Sequence, residues 1–195
     1  MKIQSAVFEV SSPNLDLCPR LALPEFAFIG RSNVGKSSLI NMLTEKATLA
    51  KVSDLPGKTR LMNFFVINRN WRLVDLPGYG YAHVAKTERA DFNEAVADYL
   101  RGRENLAGVF VLIDSRHEPQ AIDVDFIDWL VDNEIPFALI FTKIDKQSAS
   151  QTQSSMERFK EIVLTDLNPI PPMFASSAKT KTGRNDILRY VADRL

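Results

Sequence analysis

A chain of 195 residues with 45% hydrophobic and 25% charged residues carries enough apolar material for one domain with its own core. Its formal net charge of zero argues against a global field that draws in nucleic acid at long range, while leaving room for a local basic face. The single cysteine, Cys18, excludes an internal disulfide, and no apolar run reaches the roughly 18 residues of a membrane span. The first residues, "MKIQSAVFEVSSPNL", hold one lysine and no apolar block of signal-peptide length, so the cytoplasm is the expected compartment.

Taken in chain order, apolar β-prone runs alternate with helix-period segments. Residues 1–24 read as an N-terminal arm packed on the body that follows, and 25–195 as that body. "EFAFIG" (25–30) is a buried strand and "KSSLINMLT" (36–44) a helix with Leu39, Ile40 and Leu43 on one face. Residues 46–60 have no clear period and form a loop. "NFFVIN" (63–68) and "WRLVDLP" (71–77) are two strands with Arg69 and Asn70 between them, a gap short enough for an antiparallel hairpin. Phe92, Val96, Tyr99 and Leu100 then mark a helix stripe. "AGVFVLID" (107–114) is a continuous apolar run of the kind covered on both faces. Ile122, Phe126, Trp129 and Leu130 make another helix, and "FALIFTK" (137–143) another buried strand. A polar loop over 147–154 leads to a helix with Phe159, Ile162 and Val163. "PMFASSA" (172–178) and a terminal helix with Ile187, Leu188 and Val191 close the chain. Trp71 and Trp129 sit in apolar-periodic runs and are expected in the core. The order β-α-β-β-α-β-α-β-α-β-α implies an α/β domain with a mainly parallel six-stranded sheet, one antiparallel edge strand and helices on both faces.

Three stretches of this pattern carry chemistry. "GRSNVGKSS" (30–38) matches G-x-x-x-x-G-K-[ST], follows a strand and opens a helix. Gly30 and Gly35 let Arg31, Ser32, Asn33 and Val34 wrap close to phosphates. The backbone N–H groups of 33–37 form an anion nest at a helix N-terminus. Lys36 reaches the β- and γ-phosphates, Ser37 offers a hydroxyl to Mg²⁺, and Ser38 beside it is a further nucleotide-binding candidate. In "DLPGYGYA" (75–82), Asp75 ends a strand where it can hold Mg²⁺ through a water, and the Gly78 N–H can contact a γ-phosphate. In "TKID" (142–145), the Asp145 carboxylate can accept from N1–H and the amine of guanine, a donor pair adenine lacks, with the Lys143 stem along the base. "ASSAK" (175–179) closes the far side with the backbone of Ala175, Ser176 and Ser177. GTP or GDP is the ligand this order of motifs selects.

The set "GRSNVGKSSLIN", "GKTR", "DLPGYGYA", "DSRH", "TKID" and "SSAK" resembles the EngB (YihA) family of bacterial ribosome-biogenesis GTPases, within the Era- and TrmE-like class, from about Phe26 to the C-terminus. The resemblance implies a single Ras-like GTPase domain. It also implies that Thr59 of "PGKTR", flanked by Gly57 and Lys58 at the nucleotide, ligates Mg²⁺ and contacts the γ-phosphate. It implies a maturing large ribosomal subunit as partner and an association with normal septation and cell division. Thr142 departs from the asparagine of N-K-x-D. The family is similar in carrying threonine here, and modest nucleotide affinity is expected.

Tyr79 stands where Ras-like proteins carry the glutamine that orients the attacking water. Two routes can replace it. The first is a K⁺ ion with Asn33 as ligand, an idea carried by the resemblance; a positive charge delivered there as an arginine finger is worth about 10³–10⁵-fold. The alternative for Asn33 is a residue that tolerates a left-handed turn. The second route is a partner that completes the site, with Lys58, Arg60 and His83 as nearby candidates for help in cis; for His83 a plain loop residue is the simpler reading. Lys36, Asn33, Thr59 and Gly78 are the catalytic candidates, and slow intrinsic hydrolysis suits a switch. The C-terminal segment carries Lys179, Lys181, Arg184, Arg189 and Arg194 against Asp186 and Asp193, either a solvated helix face or a ribonucleoprotein contact. Monomer is the default state. The rival readings are a P-loop kinase or ATPase, for which no lid segment is seen, and a nucleotide-regulated adaptor of the division machinery.

Overall fold

The computed structural model describes residues 1–20, 23–50, 61–79 and 86–195, with the side chains of 86–93 excepted. The elements are β1 (Ala6–Ser12), β2 (Glu25–Gly30), α1 (Lys36–Thr44), β3 (Met62–Ile67), β4 (Trp71–Asp75) and α2 (Lys86–Gly102). They continue with β5 (Leu106–Asp114), α3 (Ala121–Asp132), β6 (Phe137–Thr142), α4 (Ala149–Val163), β7 (Met173–Ala175) and α5 (Arg184–Ala192). The sheet order is β1-β3-β4-β2-β5-β6-β7. All neighbours from β4 to β7 pair in parallel, and β3 is the one strand running against the rest.

The α/β class is as expected, but the sheet has seven strands rather than six. The extra strand comes from the N-terminal arm, where Ala6–Ser12 pairs antiparallel with β3. Its sequence gives no clean alternation, because Val7 and Phe8 are both exposed. What fixes it is the β3–β4 turn. Asn68 and Arg69 take left-handed backbones, φ 50° and 61°, and Asn70 N–H donates to the Ile67 carbonyl at 3.1 Å. The turn therefore centres on Asn68 and Arg69, one residue earlier than the sequence spacing suggested. The Asn68 side-chain oxygen accepts from the Gln4 and Ser5 N–H groups at 2.7 and 3.1 Å, and its amide donates to the Lys2 carbonyl at 2.8 Å. One turn residue thus holds the arm in register.

A second difference lies at 147–154, expected as loop. α4 already starts at Ala149, because Ser148 and Gln151 form a reciprocal capping box: the Ser148 hydroxyl accepts from Gln151 N–H at 3.2 Å and the Gln151 side chain accepts from Ser148 N–H at 2.9 Å. Its first turns are polar because they face solvent.

The two-residue alternation of the central strands sorts the core into two layers. Phe26, Phe28, Phe110, Leu112 and Ile140 point to the face covered by α1 and α5, against Leu39, Ile40, Leu43, Ile187, Leu188 and Val191. Ala27, Ile29, Val109, Val111, Leu139 and Phe141 point to the face of α2, α3 and α4, against Val96, Tyr99, Leu100, Ile127, Leu130 and Phe159. Trp71 is buried and Trp129 is partly buried against the second layer, both as expected for core positions.

At the amino ends of the strands sits a charged cluster that the sequence did not announce. Arg72 and Glu25 are both fully buried. Arg72 donates to Glu9 at 2.7 and 3.1 Å and to Glu25 at 3.3 Å; Tyr99 and Arg103 of the α2 end also bond Glu25, at 2.8, 2.9 and 2.7 Å. This cluster ties β1, β2, β4 and the end of α2 together, leaving the carboxyl ends of the strands to form the site.

Candidate nucleotide site

Four parallel strands deliver their ends to one edge of the sheet. β2 runs into Gly30, β4 ends at Asp75, β5 at Asp114 and β6 at Thr142, with Asp114 paired to Thr142 in the ladder. After β2 the chain turns through Asn33 and Gly35, both left-handed at φ 62° and 101°, and enters α1 at Lys36. Asn33 thus adopts the turn conformation that its sequence position allowed. Gly35 is required there, because a side chain at that φ is strained. The Lys36 ammonium is paired directly with the Asp75 carboxylate. Ser37 and Ser38 follow in the first turn of α1, partly buried.

Gly78 lies against this loop: a Cβ there would meet the Gly30 carbonyl at 2.7 Å. The next residue, Tyr79, bridges Arg31 in parallel backbone pairing. Their side chains then converge on Asp123 in the first turn of α3. The Tyr79 hydroxyl donates to Asp123 Oδ1 at 2.9 Å, and Arg31 Nε stands 3.2 Å from Oδ1 and 3.1 Å from Oδ2. Burial pushes the Asp123 carboxyl up against the pull of its Tyr79 and Arg31 contacts, and burial beside that carboxylate pushes the Tyr79 phenol well above its ordinary value. The Tyr79 ring stacks on Phe126 at 4.7 Å. Asp123 was missed from sequence, since it lies 44 residues from Tyr79 with only helix-surface neighbours around it.

The base side is built from three loops. The Thr142 hydroxyl donates to the Val34 carbonyl at 2.6 Å, with the Ile113 carbonyl at 3.2 Å. Lys143, left-handed at φ 60°, donates from its ammonium to the Asn33 carbonyl at 2.6 Å and to Asp114 Oδ2 at 2.9 Å. Its stem therefore crosses the phosphate loop, with Cε 3.8 Å from where a Gly35 Cβ would stand. Burial works to raise the Asp114 carboxyl, but the hydrogen bonds from Arg116 and Lys143 outweigh it and hold the group well below the usual carboxylate range. Arg116 forks onto Asp114 at 2.9 and 2.8 Å. Asp114 and Arg116 belong to "DSRH" and had no residue role from sequence. The buried Ser177 hydroxyl donates to Asp145 Oδ1 at 2.7 Å, which lowers the Asp145 pKa. Ser176 Oγ donates to the Thr182 carbonyl at 3.1 Å, and Ala175 ends β7 beside Phe141.

Gly57, Lys58, Thr59, Arg60 and His83 lie outside the described residues. The other sequence candidates, from Gly30 to Ser38 and at Asp75, Gly78, Thr142, Lys143, Asp145, Ala175, Ser176 and Ser177, fall on the phosphate loop, the strand ends and the loops that follow them.

A protein-family model described as "50S ribosome-binding GTPase" matches residues 25–143. Over 191 residues the chain is 51% identical to a probable GTP-binding protein EngB of Christiangramia forsetii, covering 98% of this chain and 96% of that one. It is 49% identical to the protein of the same name from Porphyromonas gingivalis, covering 98% and 95%. The chain belongs to the EngB family. It is a GTP-binding P-loop GTPase, and the fold agrees. A crystal structure of a probable GTP-binding protein engB superposes with a TM-score of 0.69 at 23% identity, over 87% of this chain and 97% of that chain. The Era protein of Aquifex aeolicus, bound to GDP and aluminium fluoride, gives 0.71 at 18% identity over 90% and 57%. In this EngB-family GTPase the Tyr79 hydroxyl is committed to Asp123.

Proposed function

We propose that this GTPase is a slow, GTP-operated switch that acts on the large ribosomal subunit during its assembly. The observation that supports the partner is the ribosome-binding description of the family model matched by residues 25–143. In this reading 25–195 is the GTPase domain and 1–24 an arm on it. Lys36 and the amides of 33–37 hold the phosphates. Asp145, Lys143, Ser176 and Ser177 frame the guanine. GTP orders 46–60 and 78–88, and hydrolysis releases them.

The donor set suits Mg²⁺: Ser37 offers a hydroxyl and Asp75 a carboxylate, both hard oxygens, and no cluster of three or more His, Cys, Asp or Glu competes among the described residues. Thr59 completes that set. Bound there with the nucleotide, Mg²⁺ supplies charge compensation for the phosphates. Lys36 then turns from Asp75 toward the phosphate oxygens, and Gly78 offers its N–H to the γ-phosphate. Two routes remain for the missing glutamine, K⁺ at Asn33 or a group completed by the ribosomal partner. No helix among the described residues is long and apolar enough to cross a membrane, and we place the protein in the cytoplasm as a monomer. A role in septation follows from ribosome supply; the second reading is an adaptor of the division machinery.

The test is GTP turnover in K⁺ or Na⁺ buffer at equal ionic strength, with and without purified large ribosomal subunits. Stimulation by subunits supports the ribosomal role, and a K⁺ advantage in their absence supports the cation route. Equal rates in all four conditions would sink both, and capture of division proteins in the GTP state alone would favour the adaptor.

A further inference from the structure

The junction of Arg31, Tyr79 and Asp123 is more than a packing contact. Residue 79 is held twice, by backbone bridging to Arg31 and by its hydroxyl on Asp123 at 2.9 Å. The residue is 8% exposed, and its ring is stacked on Phe126, which in turn stacks on Trp129 at 6.1 Å. Asp123 is itself 1% exposed and anchored by its own N–H on the Gln120 carbonyl at 2.8 Å. On the other side of Gly78, the Leu76 N–H donates to the Phe28 carbonyl at 3.0 Å. Gly78 is thus pinned from both sides, at the point where its backbone approaches the Gly30 carbonyl too closely for any Cβ.

A buried carboxylate paired with one guanidinium and one phenol is weak evidence for stability. Its desolvation cost is commonly as large as its attraction, and apolar replacements at such sites are often neutral or better. What such a group provides well is registry. Here the phosphate loop, through Arg31, and the end of "DLPGY", through Tyr79, both bond Oδ1 of a carboxylate carried by the first turn of α3, while Oδ2 is buried without a hydrogen-bond partner among the described residues.

We propose that Asp123 is a positioning residue which, through Tyr79 and Arg31, fixes Gly78 against the phosphate loop and so sets the preference of the site for guanosine triphosphate over diphosphate. This rests on the GTP-switch reading, in which Gly78 N–H meets the γ-phosphate. A diphosphate has no group at that position, so its affinity does not depend on the junction. The triphosphate does, because a looser Gly78 must be ordered at the moment of binding.

The experiment compares the full-length protein with Tyr79→Phe and Asp123→Asn. Tyr79→Phe keeps the ring stack and removes only the hydroxyl; Asp123→Asn keeps an acceptor for Tyr79 and removes the charge that holds Arg31. Affinities for GDP and for a non-hydrolysable GTP analogue are measured by titration with Mg²⁺ present, beside thermal melting. The expected result for each variant is GDP affinity within about twofold of wild type, with analogue affinity about 3- to 10-fold weaker, the fold-change of one net hydrogen bond. The KM for GTP rises with it. Equal losses for both nucleotides, no loss for either, or failure of both variants to fold would make the junction an element of the fold and overturn the proposal. A wild-type protein that does not prefer guanine to adenine nucleotides would instead sink the GTP-switch reading, before any variant is compared.

Discussion

The Thr142 hydroxyl donates to the Val34 carbonyl at 2.6 Å, so the end of β6 is bolted to the phosphate loop by the residue that departs from the asparagine of N-K-x-D. A hydroxyl supplies one such donor where an amide supplies two. Thr142→Val conserves shape and leaves that buried carbonyl without its partner. The expected cost is about 1–3 kcal/mol of stability. Denaturant unfolding reads the loss, and weaker GDP binding should accompany it. Unchanged stability would mean that the Val34 carbonyl finds another donor.

Much of this arrangement was legible in the sequence because it is local. The phosphate loop, Asp75 and "TKID" each lie within a few residues of a strand end, and strand ends follow from apolar runs such as 107–114 and 137–142. What was not legible depends on distance or on turn chemistry. β1 pairs with a strand fifty or more residues away, and its adjacent Val7 and Phe8 are both exposed, so no periodicity marks it. The start of α4 was readable from Ser148 and Gln151 as a capping pair, yet its polar first turns resemble a loop. The Asp123 and Asp114 carboxylates gain their roles from side chains on other elements, and no spacing rule points to such a meeting.

Base selection makes a second prediction. The Ser177 hydroxyl on Asp145 is the foremost cause of its lowered pKa. A depressed carboxylate remains charged as pH falls through its unfolded-state value, and its contribution is lost only as pH falls through the folded one. Ser177→Ala should therefore move the acid loss of GDP binding to higher pH while sparing the plateau near neutrality. Asp145→Asn should abolish the preference for guanine over adenine nucleotides. Titrations across pH 3–7, about the range in which carboxylates ionise, test the first, and competition between GDP and ADP tests the second.

Asp114 makes the third. Its carboxyl is held low by Arg116 and Lys143 despite burial, so it stays ionised wherever the protein is folded near neutrality. Its stabilising contribution is present above the unfolded-state value and lost as pH falls toward the folded one. Asp114→Asn removes the charge that fixes Lys143 across the phosphate loop. GDP and GTP affinities should fall together, by contrast with Tyr79→Phe, because Lys143 serves base and loop rather than the γ-phosphate. The acid limb of the stability profile should flatten in the same variant, as followed by thermal melting from pH 3 to pH 7, about the carboxylate range.

The fourth concerns the opposite end of the sheet. Arg72 is fully buried between Glu9 and Glu25, which also receives Tyr99 and Arg103. Removing one member of such a cluster strands the others in low dielectric, at about 3–5 kcal/mol. Arg72→Met should destabilise the fold by that order in urea unfolding and loosen β1 from the sheet, visible as faster amide exchange over 6–12. Nucleotide preference should survive, since the cluster sits at the amino ends of the strands and the site at their carboxyl ends. A variant with unchanged stability would show that the carboxylates neutralise at little cost.

Gly78 carries the last prediction. A Cβ at this position would stand 2.7 Å from the Gly30 carbonyl, a contact that backbone on both sides must yield to relieve. Gly78 is also the residue whose N–H the γ-phosphate needs in the switch reading. Gly78→Ala therefore pushes apart the two segments that a triphosphate must find together, whereas a diphosphate needs only the phosphate loop. Overpacking of this kind costs about 1–3 kcal/mol, enough on its own to lower triphosphate affinity by roughly 5- to 150-fold. GDP affinity should change far less, and GTP turnover should fall at every subunit concentration. If turnover holds while the analogue still binds, Gly78 N–H is not the γ-phosphate contact, and the close approach to Gly30 serves packing alone.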